Sequence, residues 1–413
     1  MTVVERWLTM MLLCLSGSTI YWMPFFSEIY YVPMQDAFGF SNTQLGVLSS
    51  TFGFTSLIGY FPGGWLADRF SSRKLISVAL VITAAGAFVF STMPSFEICV
   101  LLFGLWGIAT ACVFWSAMIK ATRNWGSTDE QGRAFGILEG GRKLVDMASA
   151  ALLLAIFAFR GGDDAALSEV IQILAVSTLL LAALVWTVMK DATSHDDCLE
   201  EPPTHTTAGI IEVLKLPIVW MMAIIIMAAY SGLWGAVYLT PYATDVYELG
   251  SVLGGAIGVG KLWLAALAAI VAGFIADRIG TAKAIVGSFV LLTSGFLIFG
   301  LLPGGPSLVP LLIMNGALVS CAVYGLRGIY FALLEEGGIP VAITGTATGV
   351  VSVIGYMPDM FLPMLGGMIL DTSPGAAGYQ NLFLFVAALN FLGLVAAYVA
   401  YRTIQVDRAV AAS

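Results

Sequence analysis

Charged residues are scarce in this chain: they make up 11% of its 413 residues, whereas 59% of the residues are hydrophobic. A soluble domain carries about twice that share of charge, so the composition argues against a soluble protein. The net charge of −8 offers no basic surface of the kind that binds nucleic acid. The sequence therefore indicates a membrane protein, and no nucleic-acid partner is expected.

Histidine and cysteine are too few and too scattered to suggest a reactive centre. The chain has 2 histidines and 5 cysteines. Both histidines, His195 and His205, fall in one polar loop, and the cysteines show no metal or redox spacing. We therefore expect no catalytic residues, no metal and no cofactor, and a membrane enzyme is disfavoured.

Long apolar runs take the place of the missing charge. Segments such as 100–119 and 382–401 are almost free of charge, and about 20 apolar residues suffice to cross a bilayer as a helix. The first run begins after Arg6 and is too long for the core of a signal peptide. Breaks at Pro, Gly and charged clusters predict twelve spans: 7–33, 43–68, 74–92, 96–122, 132–159, 168–190, 217–244, 250–277, 283–302, 307–334, 341–370 and 379–402.

The basic residues predict the orientation of these spans. With a cytoplasmic amino terminus, thirteen of the 18 Lys and Arg residues fall on the cytoplasmic side, four fall within spans and only Arg160 falls outside. The positive-inside rule then places both termini in the cytoplasm. The longest polar interruption, residues 190–209, separates six spans from six. The predicted domains are an N-terminal six-helix bundle at 1–190, a cytoplasmic linker at 191–215 and a C-terminal six-helix bundle at 216–413.

A short motif occurs twice along the chain. Residues 64–74 read GWLADRFSSRK and residues 273–283 read GFIADRIGTAK, each at the cytoplasmic end of the second predicted span of its half. The segment GRAFG at 132–136 corresponds in the same way to GTATG at 345–349. Two equivalent halves account for both correspondences.

With this duplicated motif the chain resembles the major facilitator superfamily of transporters. The motif matches the family's loop signature, including Lys74 and Lys283, although Ser71 and Ala282 replace residues common in the family. The resemblance implies an all-α membrane fold of twelve transmembrane helices in two pseudo-symmetric six-helix bundles that work by alternating access. We expect seven residues of the two copies to form a gate: Gly64, Asp68, Arg69, Arg73, Gly273, Asp277 and Arg278. The alternative is that each copy is a turn with ordinary cytoplasmic charges.

The segment GILEGGRKLVDMAS, residues 136–149, places four charges inside the predicted fifth span. Glu139, Arg142, Lys143 and Asp146 lie within about 100° of one another around a helix, so they share one face. Exposing four charges to lipid would cost about 10 kcal/mol, so this face should line a polar cavity or the bundle interior. Mutual neutralisation is the simpler alternative, because each acid lies three or four residues from a cation.

Other charges fall within the spans as well. Lys261, Arg327, Asp359 and Glu28 complete a set of four cations and four acids, and Asp359 aligns with Asp146 in the repeat. We expect the cations, together with nearby aromatic residues, to bind substrate: Arg142, Lys143, Lys261, Arg327, Tyr21, Trp234, Tyr330 and Tyr356. The acids are the candidates for proton coupling: Asp146, Asp359, Glu139 and Glu28.

Two mechanisms fit this balance of charge. In proton symport, protonation of an acid releases a cation to bind an anion; in antiport, one anion replaces another and the acids only orient the cations. The spare acids favour symport. The predicted partners are a small anionic substrate (a carboxylate, sugar acid or phosphate ester), protons and the bilayer. The protein is expected to be a monomer and to lie in a bacterial inner membrane.

Family resemblance also bears on the substrate. The segment around Arg142 resembles the fifth helix of organophosphate and anion exchangers, and Lys261 resembles the cation of oxalate and monocarboxylate carriers. An Arg pair on spans one and seven, typical of organophosphate exchangers, is missing, and the glycine-rich nitrate signature is incomplete. A multidrug exporter is disfavoured by the four cations and by the lack of a Gly-Pro element in span five, and a transporter-like sensor is the remote alternative.

Overall fold

The computed structural model describes residues 3–125, 131–190, 213–339, 347 and 350–412. Within these residues all regular secondary structure is helical. Some of the sequence predictions lie outside this description: residues 191–212 of the linker, Gly345 and Gly349 of the second glycine pattern, and the side chain of Asp68.

One unit of the chain comprises Met1–Asp197 together with Gly250–Leu262. Its helices are α1 Val3–Trp22, α2 Ser27–Phe38, α3 Asn42–Arg69, α4 Ser72–Phe90, α5 Phe96–Ile108, α6 Ser116–Arg123, α7 Gln131–Phe159 and α8 Asp164–Val188. A π-helix, Ala109–Trp115, joins α5 to α6. Leu13, Ile76, Met118 and Leu138 belong to the buried apolar core of this unit.

The second unit comprises Cys198–Leu249 and Trp263–Ser413. Its helices are α9 Pro217–Val237, α10 Leu239–Asp245, part of α11 Ser251–Ile279, α12 Thr281–Leu301, α13 Val309–Ile329, α14 Leu333–Glu336, α15 Pro358–Thr372 and α16 Ala376–Ala412. The helix α11 is divided between the two units, and its residues after Leu262 belong to the second unit. Aromatic rings pack in its core: Phe383 is stacked on Phe296 with ring centroids 5.9 Å apart and meets Tyr242 edge to face at 5.0 Å. The domain boundaries predicted from the sequence stay a prediction.

The first predicted span is a pair of helices rather than one. The break follows Trp22, and α2 begins at Ser27. Pro24 lies in this break and has no N–H to donate, so it cannot continue the α-helical hydrogen bonding. The break brings Glu28 into the first turn of α2.

The π-helix lies against two glycines of α3. A Cβ atom on Gly63 would lie 2.8 Å from the carbonyl oxygen of Ala111, and one on Gly59 would lie 3.2 Å from the backbone nitrogen of Cys112. Close approach of the two backbones therefore requires glycine at Gly63. The wider π turn ends at Trp115, whose ring belongs to the site described below.

Ten helical segments among the described residues are long and apolar enough to cross a membrane. They are Val3–Phe38, Ser72–Phe90, Phe96–Arg123, Asp164–Val188, Pro217–Asp245, Ser251–Ile279, Thr281–Leu301, Pro306–Ala332, Val350–Thr372 and Ala376–Val406. Two further helices, α3 with 28 residues and α7 with 29, have the length but not the apolarity. The polar start of α3 and the four charges of α7 account for that difference.

Candidate functional site

The charged face of α7 packs against α1 in the first unit. Arg142 donates from Nη1 to Oε1 of Glu139 at 2.7 Å and from Nε to the carbonyl oxygen of Gly17 at 2.9 Å. Its side chain is 14% exposed, whereas that of Glu139 is 55% exposed. Arg142 is therefore held from both sides, by its own helix and by α1.

Two aromatic rings flank the same guanidinium. Arg142 Cζ lies 5.5 Å from the ring centroid of Tyr21 and 5.6 Å from that of Trp115. Rings at this distance attract a cation through their negative faces. Tyr21 was predicted as a site residue, whereas Trp115 was not, because its contact depends on the π-helix that aims it toward α7.

The second half of the α7 face is built around Asp146. Lys143 Nζ lies 3.3 Å from Asp146 Oδ2, and the hydroxyl of Ser18 on α1 donates to the other carboxylate oxygen. A serine hydroxyl can donate to a carboxylate or accept from a carboxylic acid, so it can serve either protonation state. The sequence analysis missed Ser18, although the polar run Ser16–Gly17–Ser18 inside an apolar helix is a signal that could have indicated this contact.

We name Glu139, Arg142, Lys143 and Asp146 with their α1 partners the Arg142 cluster. A Cβ atom on Gly17 would lie 2.8 Å from Arg142 Cδ and 2.9 Å from Met118 Sδ. Gly17→Ala should therefore displace Arg142 and lower the free energy of unfolding by about 1–3 kcal/mol. Thermal unfolding of the purified variant measures this, and an unchanged melting temperature would contradict the close packing.

Gly140→Ala is the matched control for Gly17→Ala. Gly140 lies on α7, and its Cβ would meet no atom within 4 Å. The control should be neutral or stabilise the helix by up to about 1 kcal/mol.

The second unit contains its own aromatic-lined arginine, Arg327 near the end of α13. Arg327 Nη2 lies 3.3 Å from the hydroxyl of Tyr230, and its guanidinium lies 5.1 Å from the Tyr230 ring centroid. Tyr230 packs against Tyr356 with centroids 4.5 Å apart, and Tyr356 and Tyr330 share a hydrogen bond. Tyr324, which the sequence analysis missed, also lies close enough to interact electrostatically with Arg327.

Asp359 stands beside this group in the first turn of α15. The indole N–H of Trp234 on α9 donates to Asp359 Oδ1 at 2.8 Å, and the charge of Asp359 interacts with Arg327. An indole nitrogen only donates, so this contact favours the charged carboxylate. Arg327, Tyr230, Tyr324, Tyr330, Tyr356, Trp234 and Asp359 are named the Arg327 cluster.

The two clusters contain the same kinds of contacts. Each has an arginine beside a tyrosine ring, and each has an aspartate hydrogen-bonded from another helix of its unit, by Ser18 to Asp146 and by Trp234 to Asp359. The sequence repeat aligned the two aspartates. Their partners differ in chemistry, since one is a hydroxyl and the other an indole N–H.

Lys261 is the most buried of the predicted cations, with 4% of its surface exposed. It lies on α11 in the part grouped with the first unit, and its charge interacts with that of Glu28 on α2. A Cβ atom on Gly258 would lie 2.8 Å from the Glu28 carbonyl oxygen, so glycine there permits the close approach of α11 to α2.

The first copy of the duplicated motif lies at the end of α3. The Arg69 guanidinium lies 4.2 Å from the ring centroid of Trp65, and Arg73 lies 5.7 Å from that of Trp186. Lys120 on α6 donates to the carbonyl oxygen of Ala67 at 2.6 Å. A Cβ atom on Gly64 would meet no atom within 4 Å, so no close packing explains glycine at that position.

The second copy lies between α11 and α12. Gly273 likewise has no atom within 4 Å of a Cβ position, and Asp277 and Arg278 are exposed. Oε2 of Glu336 accepts from the backbone N–H of Ala282 at 2.8 Å, which satisfies a donor in the first turn of α12. Each copy is therefore tied to another helix of its own unit, through Lys120 or Glu336.

Metal ligands do not assemble in the described part of the chain: it contains no group of three His, Cys, Asp or Glu residues placed to hold an ion. The described cysteines, Cys14, Cys99, Cys112 and Cys321, are free thiols. Cys14 Sγ lies 3.7 Å from the Ile137 carbonyl oxygen, a packing contact between α1 and α7.

Comparison with known proteins places the chain among transporters. Residues 7–358 match the family model described as Major Facilitator Superfamily. Inner membrane protein YqcE of Escherichia coli (strain K12) is 30% identical over 417 residues, covering 97% of this chain and 96% of the relative. Probable nitrate/nitrite transporter NarK2 of Mycobacterium tuberculosis is 24% identical, covering 80% of this chain and 81% of the relative.

A solved structure supports the same fold. A bacterial homologue of the human lysosomal transporter Spinster, in an inward-facing, unoccupied conformation, superimposes with a TM-score of 0.81 at 14% identity. The match covers 98% of this chain and 99% of that structure.

Proposed function

The chain belongs to the Major Facilitator Superfamily, and from that membership we propose that it carries a small organic anion across the membrane by alternating access, in symport with protons. Its family and fold are those of transporters rather than enzymes, and it is a multi-pass inner-membrane protein. The substrate class, the coupling to protons and the residue roles given below are the parts that we propose.

The proposed topology has twelve spans with both termini in the cytoplasm. Ten apolar helical segments and the equally long α3 and α7 supply the required number among the described residues. The distribution of Lys and Arg supports the orientation. The proposed domains remain 1–190, the linker 191–215, and 216–413.

The Arg327 cluster is the observation that carries the substrate proposal. Arg142 already faces the carboxylate of Glu139 at 2.7 Å, whereas Arg327 Nη2 lies 3.3 Å from the phenol of Tyr230 and interacts with Asp359, whose Oδ1 already accepts from Trp234. An anion arriving at Arg327 therefore meets less competition from a carboxylate than it would at Arg142. A charge-assisted hydrogen bond from a guanidinium is among the stronger polar contacts in a protein.

The tyrosines around Arg327 favour an organic anion that carries hydroxyl groups. Tyr230, Tyr324 and Tyr330 interact with one guanidinium, and Tyr356 adds a fourth phenolic hydroxyl through its hydrogen bond with Tyr330. Each phenol can donate and accept, and its ring can pack against carbon. Sugar acids and hydroxycarboxylates use both properties. Lys261, Lys143, Arg142, Tyr21 and Trp234 complete the proposed substrate-binding set.

Asp146 is the proposed proton carrier within the set that also includes Asp359, Glu139 and Glu28. Its partner Ser18 can bond either protonation state, whereas the Trp234 N–H favours charged Asp359. Protonation of Asp146 would release Lys143 and raise the positive charge of the Arg142 cluster. Proton binding and anion binding would thereby favour each other.

Transport of an inorganic anion, by symport or exchange, is the second candidate. The relative named as a probable nitrate/nitrite transporter supports it. The phenols of the Arg327 cluster favour the organic anion, because nitrate can only accept hydrogen bonds from them, whereas a hydroxylated organic anion can also donate to them.

The proposed coupling predicts different effects for two aspartate variants in proteoliposomes with an imposed pH gradient. Asp146→Asn should abolish proton-driven accumulation while leaving exchange of internal for external anion intact. Asp359→Asn should instead leave accumulation intact and tighten anion binding, because it removes a negative charge that interacts with Arg327 while its amide oxygen can still accept from Trp234. Gluconate, lactate, glycerol 3-phosphate and nitrate are the labelled probes, and Thr403→Val, an exposed substitution on α16, is the control. Accumulation by both aspartate variants at the wild-type level would show that the acids are structural.

A further inference from the structure

An open groove in the first unit lies between α4 and α8, and none of its lining residues belongs to the Arg142 cluster or the Arg327 cluster. Its volume is about 420 Å³. Its lining includes Ser77, Val78 and Val81 on α4 and Leu179, Ala183 and Trp186 on α8. The described lining is almost entirely apolar.

The groove exists because small residues lie between larger ones. Ser77 is 4% exposed and Ala182 is 2% exposed, whereas Val78 and Trp186 are 46% and 48% exposed. The small side chains form the floor, and the larger ones stand up as walls. Both helices are membrane-spanning candidates, so the mouth of the groove opens toward the hydrocarbon of the bilayer.

One end of the groove is basic. Arg73 lies one helical turn before Ser77, and its guanidinium lies 5.7 Å from the ring centroid of Trp186. Lys74 is the next residue and is exposed. Tryptophan concentrates at the level of lipid headgroups, and basic residues there attract anionic lipids. An apolar channel that ends in two cations matches an acyl chain joined to an anionic headgroup.

We propose that this groove is a binding site for an anionic phospholipid such as phosphatidylglycerol. One acyl chain lies along the floor formed by Ser77 and Ala182, and the phosphate lies against Arg73 and Lys74. The complementarity of charge distinguishes this lipid from a zwitterionic one. The site is separate from the transported anion, because it uses α4 and α8 rather than the Arg142 or Arg327 cluster.

The test measures lipid bound to the purified full chain by native mass spectrometry. Dioleoylphosphatidylglycerol should bind at least about fivefold more tightly than dioleoylphosphatidylcholine, the effect expected of a single cation near a headgroup. Ala183→Leu should fill the groove and weaken binding of both lipids. Arg73→Gln should reduce only the preference for phosphatidylglycerol.

Ala155→Leu is the matched control, because Ala155 is exposed on α7 outside the groove. It should bind lipid as the wild type does. Should Ala183→Leu fail to fold, Val81→Phe narrows the groove from the α4 side and takes its place. Equal binding of the two lipids, or unchanged binding by the groove variants, would overturn the proposal. A dimer that Ala183→Leu disrupts would also overturn it, by identifying a second copy of the chain as the occupant.

Discussion

Arg327→Gln is expected to lower kcat/KM for uptake of an organic anion about 10- to 100-fold. The variant keeps a side chain of similar reach but removes the charge that faces Tyr230. Loss of a hydrogen bond to a charged group is worth about 1.5–3 kcal/mol, which corresponds to that range. Initial rates of uptake into proteoliposomes, with gluconate and lactate as probes, measure the change.

Two further variants distinguish the loss of the positive charge at Arg327 from the loss of a positive charge elsewhere in the protein. Arg327→Lys retains the positive charge without the planar fork, so its uptake should fall between that of the wild type and Arg327→Gln. Arg160→Gln removes an exposed arginine that pairs with Glu169 at 2.7 Å, and it should transport normally because exposed ion pairs contribute little. Wild-type uptake by Arg327→Gln would exclude the Arg327 cluster as the anion site.

Separate replacement of Lys261 and Glu28 should produce large losses of stability that partly cancel when both are replaced. Lys261 is 4% exposed, and its charge interacts with that of Glu28. Lys261→Met or Glu28→Gln alone should cost about 3–5 kcal/mol, because each leaves a charge without its opposite. The double variant should regain at least half of that loss. Thermal unfolding in detergent of the wild type, the two single variants and the double variant gives the double-mutant cycle.

Transport by the same four proteins then assigns the role of Lys261. If Lys261 binds substrate as proposed, the double variant should regain stability but not uptake. Recovery of uptake together with stability would restrict the pair to a structural role. Additive losses of stability, with no recovery in the double variant, would show that the two charges do not stabilise each other.

The sequence predicted how the charges of α7 can pair, because helical spacing determines it, whereas the assignment of these residues to a substrate site stays a prediction. Residues three apart on one helix are neighbours, and the structure pairs Arg142 with Glu139 and Lys143 with Asp146. The sequence also predicted the membrane-protein class directly, since apolar runs of about 20 residues are typical of transmembrane helices.

Contacts between helices were harder to predict from one sequence. Ser18 reaches Asp146 because α1 packs on the charged face of α7, and Trp115 reaches Arg142 because a π-helix turns it there. Trp234 stays a predicted substrate contact, and the sequence did not predict that its N–H binds Asp359. Such partners depend on helix packing, which the periodicity of a single helix does not encode. Pro24 could have indicated the break after Trp22, but the sequence analysis predicted one span across it because the apolar run continued.

Anion binding to purified wild-type and Arg327→Gln protein is the most direct measurement. A ligand that binds the native state at 100 times its Kd stabilises that state by about 2.7 kcal/mol, which a thermal-shift assay detects. Gluconate, lactate or glycerol 3-phosphate should raise the melting temperature of the wild type and of Arg160→Gln, whereas neutral sorbitol should not. The stabilisation should fall to about half or less in Arg327→Gln, as expected for a 10- to 100-fold loss of affinity. An equal shift in Arg327→Gln, or stabilisation of the wild type by a cationic drug and by none of the anions, would contradict anion binding at Arg327.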